Sequence, residues 1–170
     1  MTNFDEYDIN KICGNDRIYA KKFIDREIED EDYDDALDRL DEYCDFYDEK
    51  KRDSVVEIYR MIKIPKNTEY DCDNIGIWWS FEEEGVGTYG FTSSVSKKHL
   101  KTIIFKGETE VKNIDWVNGL YSYIYYPDQK ECNVKLNSHI NVKSINDEYL
   151  EEPRECNSGN YQTYKHKRID

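Results

Sequence analysis

Three side chains carry the chemistry of this sequence, each set in an apolar run of β character: Arg60 in Ile58-Tyr59-Arg60-Met61-Ile62, Ser80 closing Ile75-Gly76-Ile77-Trp78-Trp79-Ser80, and Glu131 in Gln129-Lys130-Glu131. An arginine presents a planar, permanently charged fork that matches phosphate oxygens. A carboxylate in a cleft can face the positive charge that grows on a sugar carbon as its base departs. A small hydroxyl beside that carboxylate can fix its rotamer. Together they suit holding a nucleotide diphosphate and breaking a sugar–base bond. Gln129 and Glu131 stand two apart, so a strand puts amide and carboxylate on one face, and the amide could then orient an attacking acceptor.

Taken singly, each has an ordinary explanation. Arg60 could be salt-bridged or on the solvent face, Ser80 could cap the following helix, and Gln129 and Glu131 could line the wet edge of a hairpin. Their order and their strand settings single them out. Gly76 marks a close backbone approach or a bulge. Alternation turns Trp78 and Trp79 to opposite faces, so at most one shares a cleft with Ser80. It also turns Cys132 away from Glu131, as core filler.

The elements that must position these residues follow from periodicity. Residues 1–15 are polar and read as loose. Apolar residues at helical spacing predict one helix over Asp16–Glu29, with Asp16 as a candidate N-cap, and a second over Asp32–Lys51. The two read as a helical hairpin with an acidic outer face. Alternation predicts a strand over Ser54–Ile64, a short aromatic one over Ile75–Phe81 and another over Lys101–Lys106. Glu82–Gly90 reads as a short helix weakened by glycine, and Trp116–Tyr126 as a helix capped by Asp115. Gln129–Leu136 and Ile140–Ile145 read as a hairpin turning at Asn137-Ser138-His139. Residues 147–170 form a polar tail with little periodicity. The fold class is α+β, a mainly antiparallel sheet split into two curved halves. The division is 1–52 acidic helical extension, 53–146 core, 147–170 tail.

The net charge of −13 is concentrated in residues 1–50, which hold 18 acidic and 7 basic side chains. The rest is nearly balanced, which argues against wrapping a nucleic-acid backbone. The acidic front reads as a solvated helical face or as a surface for a basic partner. No apolar run approaches the roughly 20 residues of a membrane span, and no secretory signal is seen at the start. The five cysteines are odd in number and scattered, without a CxxC pair, so metal ligation is not expected, and reduced thiols in a cytoplasmic setting are. Richness in Lys, Asn, Ile, Tyr and Asp points to AT-rich coding of the kind found in viruses, and so to an expected host cytoplasm.

The stretch 54–146 resembles the ADP-ribosyltransferase fold of the Arg-Ser-Glu group, especially its small bacterial and viral members. The resemblance rests on Tyr59-Arg60, on Gly76-Ile77-Trp78-Trp79-Ser80-Phe81, on Ile114-Asp115-Trp116 before a helix, and on Gln129-Lys130-Glu131. It implies NAD as substrate, mono-ADP-ribosyl transfer to a protein or nucleobase acceptor, and release of nicotinamide. It implies that Arg60, with the motif residues Tyr59, Gly76, Trp79, Ser80 and Phe81, binds NAD. Glu131 would be the catalytic glutamate, Ser80 its support, and Gln129 the residue that helps choose the acceptor. Gln129 stands where many members carry glutamate, which departs from the arginine-modifying pattern and is similar to members that modify other acceptors. Ser80 is followed by Phe81-Glu82 rather than Thr-Ser. Two other functions stand beside this one: an acidic, non-enzymatic decoy that imitates a phosphate array, and a degenerate transferase fold that only binds a partner.

Overall fold

The computed structural model describes residues 6–14, 17–28, 32–86, 99–160 and 167–168. Within them the chain runs through helices α1 (Ile9–Ile12), α2 (Arg17–Glu27) and α3 (Tyr33–Lys50), then strands β1 (Val55–Pro65), β2 (Thr68–Glu69) and β3 (Trp78–Ser80). Helix α4 (Glu83–Val86), strand β4 (Leu100–Glu110), helix α5 (Trp116–Tyr125) and strands β5 (Glu131–Asn133), β6 (His139–Ile145), β7 (Glu148–Asn157) and β8 (Lys167–Arg168) follow. The fold is α+β, built on an open antiparallel sheet in the order β5-β3-β1-β4-β6-β7, with β2 and β8 paired separately.

The alternation in β1 is a working pattern. Val56, Ile58, Arg60, Ile62 and Ile64 point inward, while Val55, Glu57, Tyr59, Met61 and Lys63 are exposed or half-buried. Each fully buried aliphatic side chain contributes roughly 1.5–3 kcal/mol by leaving water. The core is one cluster that includes Ile12, Phe23, Leu40 and Tyr43 of the helical front along with the sheet residues. The front is therefore built into the same core. Trp116 is its hinge point: Tyr43 Oη donates to the Trp116 carbonyl at 2.9 Å, Tyr47 meets its ring edge-on at 4.9 Å, and Phe81 stacks on it at 5.4 Å.

Several expectations are corrected. The sheet is continuous rather than two separate halves, although its seam is narrow: one registered pair, Tyr59 with Ser80, joins β1 to β3. The front has an additional short helix, α1, started by Asp8, whose carboxylate accepts from the Asn10 N–H at 2.9 Å. Asp32 caps α3 in the same way; the candidate cap Asp16 lies outside the described residues. Gln129 sits in a 3-10 turn (Pro127–Gln129), and Lys130 is left-handed at φ 46°, so the strand begins only at Glu131. β5 pairs with β3, not β6; β6 instead forms a hairpin with β7. Asn146 and Asp147, both at positive φ, make that turn, as tight hairpins require. Glu148–Asn157, within the stretch expected to be a polar tail, is thus an edge strand, exposed and charged with Pro153 in it, a composition that discourages pairing with other chains.

The cysteines also depart from expectation. Cys13–Cys44 ties the end of α1 to α3, and Cys72–Cys156 ties the connection after β2 to β7. Scattered spacing hid this because pairing depends on tertiary proximity. Cross-links closing loops of 31 and 84 residues stabilise by roughly 3.5–4.5 kcal/mol each in the chain-entropy account. Cys132 is free and wholly buried, and burial, then the nearby Glu131, pushes its thiol well above the ordinary range. No described helix is long and apolar enough to cross a membrane.

Candidate functional site

Glu131 begins β5 and is only 7 % exposed. Ser122 of α5 donates to its Oε1 at 2.8 Å, and Asn133 Nδ2 donates to the same oxygen at 2.7 Å. Both bonds fall on one oxygen, which leaves Oε2 without a hydrogen bond among the described residues. Burial raises the carboxyl above its usual range, opposed by the bonds from Ser122 and Asn133. The result is a held, partly desolvated carboxyl with one oxygen to spare, the condition expected of a group that works in a cleft.

Arg60 reaches the same cleft from β1. It is nearly buried, and Nη1 donates to the Trp78 carbonyl. Its guanidinium lies over Gly76: a Cβ there would come 2.6 Å from Nη2. Gly76 has φ +87°, so both sterics and backbone conformation require glycine. The segment around it is fixed from the far side, since Ile75 N–H and Gly76 N–H donate to the carbonyls of Asn157 and Ser158 at 3.0 and 3.2 Å, beside the Cys72–Cys156 bridge.

Arg60, Gln129 and Glu131 line one cavity of about 390 Å³, together with Met61, Trp78 and the α5 face that carries Tyr121, Ser122 and Tyr125. It lies where the β1–β3 ladder stops: the pair Tyr59–Ser80 is its last rung, and Arg60, Met61 and Trp78 follow on the unpaired side. Tyr121 and Tyr125 are four apart on a helix and their rings stand 5.1 Å apart, as that spacing dictates. A cavity of this size falls within the range of small-molecule sites.

The other predicted site residues are placed differently. Ser80 is fully buried and makes no side-chain hydrogen bond to the Glu131 carboxylate; its Oγ is 2.7 Å from the Glu82 carbonyl and 3.0 Å from that of Gln129, and it accepts the Glu82 N–H at 3.2 Å. It therefore anchors the turn that presents Gln129 and Glu131, and in part caps the following chain. Gly85 in α4 permits this, because a Cβ there would strike both Ser80 Oγ and the Gln129 carbonyl. Trp79 is wholly buried against Phe105, its Nε1 donating to the Gly76 carbonyl at 2.9 Å, so Trp78 rather than Trp79 faces the cavity. Tyr59 is on the outer sheet face with Glu57 and Lys106. Phe81 borders a second, smaller cavity that also touches Glu131.

Sequence reasoning missed Ser122 and Asn133. Asn133 was findable, two residues beyond Glu131 on the same strand face. Ser122 offered a weaker signal, the single serine in a helix made mostly of apolar and aromatic residues. Among the described residues no group of three or more His, Cys, Asp or Glu is gathered as a metal site would need. No family model, no curated protein and no solved structure matches the chain.

Proposed function

We propose that this chain is a mono-ADP-ribosyltransferase of the Arg-Ser-Glu type, cleaving the bond between nicotinamide and ribose in NAD and passing ADP-ribose to a macromolecular acceptor. The observation that carries the reading is that Arg60 and Glu131, distant in sequence, line one aromatic-walled cavity with Gln129. In this reading the Arg60 fork takes the pyrophosphate and the tyrosine and tryptophan faces take the rings. The free Oε2 of Glu131 faces the ribose as positive charge grows there. The acceptor forms a bond to the ribose carbon; the carbon–nitrogen bond to nicotinamide breaks, its electron pair leaves with neutral nicotinamide, and the acceptor's proton passes to solvent. Ser80 serves indirectly, by holding the turn at Gln129.

The test is to incubate the protein with labelled NAD and a cell lysate, following free nicotinamide and label on macromolecules. Nicotinamide release is expected, reduced by about 10²–10³-fold in Glu131→Gln. Release that is unchanged in Glu131→Gln, or absent from the folded wild-type protein, ends this reading. The exposed carboxylates along α3, including Asp34, Asp35, Asp38 and Asp45, would then favour the acidic decoy, recognised by salt-sensitive binding to a basic protein.

A further inference from the structure

Glu131 borders a second cavity, about 210 Å³, smaller than the space a nucleotide needs. Its walls are rings and charges. Phe46 comes from α3, Phe81 from the end of β3, and Tyr123 from α5, with the carboxylates of Glu42 and Glu82 and the ammonium of Lys130. Two of these rings already carry an ammonium of the chain itself. Lys130 Nζ stands 5.0 Å from the Tyr123 ring centre and Lys50 Nζ 5.4 Å from that of Phe46. Tyr123 Oη in turn donates to Glu42 at 3.0 Å. Ring faces attract cations through their quadrupole, more strongly when water is kept away.

We propose that this smaller cavity binds a small organic cation, an alkylammonium group, and that Lys130 partly fills that role in the free protein. The cavity, its ring-seated ammonium groups and its excess of carboxyl groups each point to the same chemistry. The lining carries three carboxyl groups against one ammonium, so an incoming cation is balanced and an anion is repelled. A neutral ligand of the same shape gains only the apolar contact. The binding claim is independent of NAD turnover and can be read in a protein that cleaves nothing.

The experiment titrates choline and n-butylammonium into the intact protein, reading the ring C–H signals of Phe46, Phe81 and Tyr123 by NMR. The uncharged neopentyl-type alcohol that matches choline in shape is the control. Saturable shifts are expected for the cations and not for the alcohol. Glu82→Gln, at an exposed position, should weaken binding by several-fold. Lys130→Met removes the competing ammonium and should tighten it by roughly five-fold, the scale of one ring–cation contact. Equal binding of the alcohol would reduce the cavity to an apolar hollow. Absence of saturable shifts, or weaker binding in Lys130→Met with the fold intact by NMR, would overturn the proposal.

Discussion

β1 has two different neighbours. Toward β4 it makes eleven registered pairs, Val55–Pro65 against Leu100–Glu110; toward β3 it makes one. The first side is filled with inward aliphatic side chains and closed by a full ladder. The second side opens after a single rung, and the cavity with Arg60, Gln129 and Glu131 lies in the opening. One strand thus supplies rigidity on one edge and access on the other. A complete ladder would satisfy its backbone groups and leave no room for a ligand. An incomplete one needs side chains to take over, and Arg60 does so by donating to the Trp78 carbonyl.

The comparison breaks if the two sides respond alike to substitution. On the open side, Glu131→Gln should lower nicotinamide release by about 10²–10³-fold without loss of fold. Because the folded carboxyl titrates above its ordinary value, its contribution to stability is complete below the usual carboxyl range and is lost as pH rises through the raised value. Melting of Glu131→Gln followed against pH should accordingly be less sensitive to rising pH than that of wild type. On the closed side, Ile58→Ala should cost about 2–5 kcal/mol in denaturant unfolding, while the folded fraction keeps its turnover. A loss of turnover per folded molecule there would show that the ladder also tunes the site.

Smaller effects sharpen the contrast. Gly76→Ala should cost about 1–2 kcal/mol for its left-handed backbone and displace the Arg60 guanidinium, so the apparent affinity for NAD should fall more than the maximal rate. Ser122→Ala removes a bond that favours the carboxylate. The rising limb of the rate–pH profile should move to higher pH, with rate recovered at alkaline pH; an unmoved limb would mean that Asn133 alone holds Glu131. Least of all, Lys130→Gly relieves a left-handed residue and should raise stability by up to about 1 kcal/mol. A lower melting temperature would show that the Lys130 ammonium over Tyr123 outweighs the backbone.

Much of the fold was readable because its signals are local. The β1 alternation, the apolar stripe of α3 and the Asp115 cap of α5, which accepts the Asn118 N–H at 3.1 Å, depend only on neighbours in sequence. β7 was not readable, because an exposed edge strand buries neither face and shows no alternation. The Glu131 start of β5 was displaced by two residues because a left-handed lysine leaves no compositional mark. The disulfides were equally hidden, since five scattered cysteines admit many pairings.

By itself the sequence determined which side chains are chemically able and which strands and helices carry them, since periodicity and side-chain type act within a few residues. Only the tertiary structure decided that Arg60 and Glu131 share a cavity, that Ser122 and not Ser80 holds the carboxyl, and that Trp78 and not Trp79 lines the wall. Those outcomes turn on ångström-scale placement of distant segments, set by how the β1–β3 ladder ends and how α5 packs on α3, and no local pattern encodes that distance.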